Sequence, residues 1–445
     1  MRKKFAAGLA FEIFSIKFTP ADLWTNVGTF SVSRSFFTFY TFYALESMPI
    51  PTPFYSRMAP LCQSYDWRNW AGYLSVSVYE MSHDREYYAI RNAAALIDVT
   101  PLFKYEISGP DAVRLVDRII TRDAKKCAVG QVVYTPWCDE RGKMVDDGTV
   151  ARLSENHFRL TSADPNLRWF QDCGFGMNVN VVDVSADLAA LSVQGPKSRE
   201  LLQQVVTGAD IASLKFFRLA HGKIGEFPVT ITRTGYTGDL GYELWVNPQH
   251  AETLWDVIME KGKGYGAMPA GMVAMDIARV EAALLLGDVD YVSSQKAITE
   301  ARKSSPLEAG LEWAVKFDKG DFVGRKALLA EKQRGPKWKF VGLEVNWDEL
   351  EALYAAADLP PQVAGRASRL AVPIFKNGKQ IGQATSSAFS PILKKFIAIG
   401  TVESPSAGLG TPVEMEITVE FARHHAPAKI VKTPFFDPAR KRSNQ

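Results

Sequence analysis

The chain has 445 residues, too many for one ordinary core, so two or three domains are expected. Hydrophobic residues make up 47% and charged residues 23%, the balance of a soluble globular protein. The net charge of +3 and the lack of a basic stripe interleaved with aromatics argue against nucleic acid and an anionic membrane surface as partners.

Residues 1–57 read as an N-terminal extension outside the core. Arg2-Lys3-Lys4 before the apolar run Phe5 to Phe11 imitates an export signal, but Glu12 and Lys17 interrupt the run and no small-residue cleavage site follows. Phe36 to Tyr43 is aromatic-rich and too short to cross a bilayer. The expectation is a translation start nearer Met48 or Met58, with export as the alternative. Cys62, Cys127, Cys138 and Cys173 form no Cys-x-x-Cys pair and lie at no zinc spacing from a histidine, so they read as reduced thiols of a cytoplasmic protein.

The main body, 58–335, reads as α/β. Tyr105-Glu-Ile-Ser runs into Gly109-Pro110 and a helix, and Leu191-Ser-Val-Gln into Gly195-Pro196 and another, which suggests two related lobes. Phe227 to Arg233 alternates as a strand does, Gly235, Gly238 and Gly241 turn, and Tyr242 to Val246 returns. The spacing of Val273, Ile277, Val280 and Leu284 predicts a helix over Met272 to Leu286, stopped by Gly287. From 336 to 437 the pattern turns to β. Strands are expected at Lys339 to Val345, Ala371 to Phe375, Phe396 to Val402 and Val413 to Phe421, with a tight hairpin at Asn377-Gly378. Glu349 to Ala357 reads as a short helical insertion, the whole as a barrel or sandwich, and 438–445 as a frayed basic tail.

Two stretches carry chemistry. Val145-Asp146-Asp147-Gly148 sets neighbouring carboxylates on an apolar strand, where alternation sends one into the site and the other to the opposite side. The alternative is an Asp-Gly turn that ends the strand. Glu243 stands among Tyr242, Leu244, Trp245 and Val246, and its burial demands a partner. A carboxylate can accept two parallel N–H bonds from an amidine-like edge such as that of a pterin, or it can pair with Arg233 or Arg279. His83, His157, His221, His250, His424 and His425 show no metal-binding spacing, and no nucleotide-binding loop is present, so no metal is expected.

In order and spacing, these pieces resemble the folate-dependent aminomethyltransferase family, whose type member is the T-protein of the glycine cleavage system. The resemblance spans residues 65 to 436. It is carried by Ile97-Asp-Val-Thr100, Gly142-Lys-Met-Val-Asp-Asp147, Leu191-Ser-Val-Gln-Gly-Pro196, Gly235-Tyr-Thr-Gly238 with Gly241-Tyr-Glu243, Asp276-Ile-Ala-Arg279-Val-Glu281, Gly320-Asp-Phe-Val-Gly-Arg325 and Ser390 to Gly400. The resemblance implies an α+β, multi-domain cloverleaf, with two α/β lobes forming a folate-binding region and a C-terminal β-barrel. It also implies one-carbon transfer to N5 of tetrahydrofolate. By it, Asp147 matches the catalytic aspartate and Glu243 the pterin-gripping glutamate. Tyr236 and Tyr134 match aromatic walls of the site, and Arg279 falls among the cofactor-binding residues. The implied partners are a small or carrier-bound one-carbon donor and a lipoyl carrier protein.

The chain departs from the family's glycine-cleavage members at four places. Thr100-Pro101-Leu102 stands for Ser-His-Met, Met275 for an arginine, Ser162 for an asparagine and Ala151 for a tyrosine. These changes leave the folate grip intact and put the lipoyl-bound donor in question. The expected activity is aminomethyl or methyl transfer. The alternatives are a non-catalytic folate binder, although the Lys-Gly-Cys-Tyr motif of such relatives is absent, and the folate lobe of a demethylase or amine-oxidising system acting on a methylated amine, sulfonium or aryl ether.

Overall fold

The computed structural model describes residues 48–363 and 365–443. The readings of Phe5 to Phe11 and Phe36 to Tyr43 lie outside the described residues. Three β assemblies frame the rest. A five-stranded antiparallel sheet runs in spatial order Val132–Cys138, Met144–Ser154, His157–Ser162, Phe103–Ser108 and Asn180–Asp183. A seven-stranded sheet runs Val206–Thr207, Leu219–Ile224, Phe227–Thr232, Gly241–Val246, Ala189–Gln194, Ala94–Asp98 and Ala267–Pro269, with only the last pair parallel. The third is a closed barrel of Trp338–Val345, Lys395–Glu403, Lys379–Ser390, Val372–Lys376, Pro412–Val419 and Ala422–Val431.

Both Gly-Pro breaks lead from a strand into a helix, Phe103–Ser108 into Ala112–Ile119 and Ala189–Gln194 into Ser198–Gln203. The Asn377-Gly378 hairpin forms with both residues at positive φ, as a two-residue turn between twisted strands requires. The helical insertion spans Trp347–Ala355 and is capped by the Asn346 side chain, which accepts from the N–H groups of Asp348 and Glu349.

Three expectations change. The helix predicted to run to Leu286 stops at Glu281, with Ala282 as its C-cap. Ala283 then takes a φ of 52°, its N–H donates to the Val280 carbonyl, and the Leu284 N–H donates to that of Arg279. This is a Schellman ending built on alanine, so the glycine at 287 plays no part in it. All ten residues of the helix are buried, so it has no solvent face.

The second change concerns the N-terminal side. Ile50 bridges to Tyr73, and Phe54 and Met58 sit fully buried, Phe54 with its ring 6.1 Å from that of Trp255. Residues 50–57 therefore contribute to the core. Third, the tail is docked as far as Ser443. Arg440 pairs with both oxygens of buried Asp239 at 2.7 and 2.8 Å. The Ser443 carbonyl accepts from Arg199 at 2.7 Å and Arg233 at 2.6 Å. A basic segment reads as solvated from composition, and here buried carboxylate and guanidinium groups claim it.

The four cysteines are buried free thiols. Among the described residues no helix is long and apolar enough to cross a membrane.

Candidate functional site

Met144–Ser154 is one continuous strand, so Asp146-Asp147-Gly148 lies within it and is not a turn. Its neighbours set the geometry: Asp146 stands opposite Trp137, Asp147 opposite Pro136, and Gly148 between Thr135 and Ser162. A Cβ on Gly148 would lie 1.8 Å from the Thr161 carbonyl oxygen, so only glycine lets the strands approach this closely.

Asp146 is buried and collects three donors, the Asp147 N–H at 2.8 Å, the Asp164 N–H at 3.1 Å and Asn166 Nδ2 at 2.8 Å, and its Oδ1 lies 3.2 Å from the Tyr291 hydroxyl oxygen. Trp137 Nε1 donates to Asn166 Oδ1, which fixes the amide so that its nitrogen faces Asp146. Asp147 receives the hydroxyls of Tyr134, at 2.6 Å, and Tyr291. Burial, and then the charge of Asp147, push Asp146 up to about 8. Burial raises Asp147 as well, against the two phenol donors that favour its charged form. The side chains do leave the strand on opposite sides, yet both reach Tyr291.

Glu243 faces Thr232 across the neighbouring strand of the seven-stranded sheet. Its Oε2 accepts from Thr234 Oγ1 at 2.6 Å and Thr232 Oγ1 at 3.3 Å. No hydrogen bond among the described residues reaches Oε1. Neither candidate arginine pairs with it. Arg233 serves the carbonyls of Leu214, Lys441 and Ser443, and Arg279 serves Asp276 and Asp290. Burial raises the Glu243 carboxyl above the usual range, and no cation offsets it.

Glu243, Thr232, Thr234 and Trp245 line one side of a narrow crevice, and Val132, Thr149 and Ala151 line the other. Thr149 and Ala151 follow Asp147 at two-residue steps, so Asp147 belongs to the face of its strand that meets Glu243 across this crevice. A wider surface hollow, rimmed by Arg114, Arg118 and Lys326, shares no residue with it.

The remaining expected residues divide. Tyr134 touches Asp147 and stacks on Trp313, with ring centroids 6.1 Å apart. The Tyr236 hydroxyl donates to the Leu285 carbonyl, and burial holds the phenol protonated, with the charges of Asp290 and Asp147 adding to it. Arg279 differs from a ligand-gripping residue. It is fully buried and donates to Asp276 at 2.7 Å, Asp290 at 2.5 Å, Ser386 Oγ at 2.8 Å and the Leu284 carbonyl at 3.4 Å. It ties the buried helix to the barrel.

Sequence reasoning missed Tyr291, Asn166, Thr232 and Thr234. Each is a hydroxyl or amide donor brought to a carboxylate by tertiary structure. The only available signal was the general demand of a buried carboxylate for donors. At the departures from the family pattern, Met275 packs in the core, Ser162 donates to the Asp164 carbonyl at 2.7 Å, Ala151 lines the crevice, and the Thr100 N–H donates to Asp98 at 2.9 Å.

A family model described as the GCVT N-terminal domain matches residues 54–319, and one described as the glycine cleavage T-protein C-terminal barrel domain matches residues 362–437. An aminomethyltransferase of Symbiobacterium thermophilum is 35% identical over 361 residues, covering 79% of this chain and 88% of that protein. One from Halothermothrix orenii is 34% identical over 367 residues, covering 81% and 93%. A trimethylamine-oxide aldolase of Ruegeria pomeroyi is 36% identical over 369 residues, covering 80% of this chain and 43% of that longer protein. The crystal structure of glycine cleavage system aminomethyltransferase T from Bartonella henselae superposes with a TM-score of 0.73 at 25% identity, covering 87% of this chain and 98% of the other.

Proposed function

This chain belongs to the glycine cleavage T-protein family of aminomethyltransferases, and from that membership we propose that it is a tetrahydrofolate-dependent one-carbon transferase with Asp147 and Glu243 as its two working carboxylates. One observation carries the reading: both acids are held by hydroxyl donors and neither has a cation partner among the described residues. A largely desolvated, half-buried carboxylate kept in this way is costly unless a ligand completes it.

The residues present fit a reduced pterin. Glu243 keeps Oε1 free while Thr234 and Thr232 hold Oε2, so its plane is fixed before a ligand arrives. It can accept N–H groups from the ring edge in charge-assisted bonds. Asp147, steadied by Tyr134 and Tyr291, is placed to stabilise positive charge that develops as carbon is transferred and to accept the proton released. Bound tetrahydrofolate would supply the nitrogen nucleophile that takes up the carbon unit.

The donor is a small methylated amine in this proposal, in preference to a lipoyl-bound aminomethyl group. Two observations favour it. The chain departs from the glycine-cleavage pattern at Thr100-Pro101-Leu102 and at Met275. The Ruegeria relative, which is named for trimethylamine oxide, is as similar as the aminomethyltransferases. A lipoyl carrier protein is the second reading.

The test is a donor screen with tetrahydrofolate that follows the 5-methyl and 5,10-methylene products separately, on wild type, Asp147→Ala and Glu243→Gln. Asp147→Ala should lower kcat on the order of 100-fold or more. Glu243→Gln should weaken tetrahydrofolate binding on the order of 10–100-fold, the value of a charge-assisted bond. Equal turnover by all three proteins sinks the assignment.

A further inference from the structure

Tyr291 touches two carboxylates with one hydroxyl. Its oxygen lies within hydrogen-bond reach of Asp147 Oδ1 and 3.2 Å from Asp146 Oδ1. A phenol carries a single hydrogen and two lone pairs. With that hydrogen given to Asp147, the contact to Asp146 is a hydrogen bond only when Asp146 holds a proton and donates it.

The phenol is set in place from behind. The preceding residue, Asp290, accepts from Arg279 at 2.5 Å, the Leu286 N–H at 2.8 Å, Thr385 Oγ1 at 2.6 Å and Ser386 Oγ at 2.7 Å. Further along the same segment, Lys296 bonds to Asp164 at 2.7 Å and Asp288 at 2.6 Å. The Asp164 N–H in turn donates to Asp146.

We propose that Asp146, Tyr291 and Asp147 form a proton relay, with Asp146 as a buried store and Tyr291 as a positioning residue that connects it to the working carboxylate. The step balances within the three groups. The Asp146 O–H bond breaks as its proton passes to the Tyr291 oxygen, and the Tyr291 proton passes to Asp147 Oδ1. Asp146 becomes the anion, Asp147 the neutral acid, and Tyr291 ends as it began. The reverse passage returns Asp147 to its charged form. Asp147 can thus serve as carboxylate or as acid within one turnover without drawing a proton from bulk water. The high affinity of Asp146 for its proton, set by burial and by the adjacent charge, agrees with its role as the store.

The relay rests on the proposed transferase activity for its use, and its test separates the two. In the free protein, carboxyl carbon NMR of labelled aspartates should show Asp146 and Asp147 titrating together. Tyr291→Phe should move both by about one unit or more. Tyr134→Phe, which removes a donor to Asp147 only, should move Asp146 less than Tyr291→Phe does. In turnover, wild type should give a curved solvent proton inventory. Tyr291→Phe should give a straight one, with kcat down on the order of 10–100-fold and KM for tetrahydrofolate within about twofold. Asp146→Asn, which keeps Tyr291, should straighten the inventory too and guards against misfolding of the phenylalanine variant. A Tyr291→Phe protein whose two carboxyls titrate as in wild type overturns the relay, whether or not a donor turns over. An inventory still curved in both variants overturns it as well.

Discussion

Asp146 accepts three N–H hydrogen bonds and still resists ionisation, because desolvation and the neighbouring Asp147 outweigh them. That balance makes it a source of pH-dependent stability. In the unfolded chain an aspartate ionises at about 3.9, whereas the folded protein holds this proton up to about 8. Between those values the folded state binds more protons, so stability falls as pH rises through the window. The Asp146 contribution is complete below the unfolded value and is gone above the folded one. Asp146→Asn should flatten the dependence of melting temperature on pH from about 4 to about 8; an unaltered slope would place the proton elsewhere. The carboxylates at 146, 147 and 243 were legible because acids on apolar strands are conspicuous. Their hydroxyl donors were not, since threonines and tyrosines are unremarkable in strands and loops. The structural ties of Arg279 were hidden for a related reason, because its partner Ser386 lies far along the chain.

The helix Met272–Glu281 shows what periodicity can and cannot say. Its apolar spacing was readable, but the pattern runs past the point where the backbone turns. Ala283 at φ 52° closes the helix in a conformation that disfavours a Cβ. Ala283→Gly should therefore raise stability by about 0.5–1 kcal/mol with no effect on folate binding. Chemical denaturation would measure it, and a loss of stability would mean that the alanine methyl packs better than its backbone suffers. The Asn377-Gly378 hairpin, by contrast, was foreseen to the residue because its turn type demands both residues. Local backbone chemistry is legible where asparagine or glycine marks it, while a helix end built on alanine leaves no such mark.

Across the molecule, Asp290 joins three parts: the buried helix through Arg279, the barrel through Thr385 and Ser386, and the carboxylate pair through Tyr291 beside it. Composition gave the order of α/β region and barrel but not this joint, because no single segment encodes it. Asp290→Asn removes the charge that answers Arg279 and should cost about 3–5 kcal/mol, the price of stranding one member of a buried ion pair. A melting curve within experimental error of wild type would show that Asp276 alone satisfies the arginine. The tail adds a second joint, where Arg440 covers Asp239.

The Asp290 clasp also limits how this protein can change by recombination. A barrel borrowed from a relative would have to bring hydroxyl side chains to the positions of Thr385 and Ser386, or Tyr291 would lose its footing. Proton transfer and barrel sequence are thereby linked in inheritance, and a chimera that respects only the folate-facing strands would fold with slack in its chemistry.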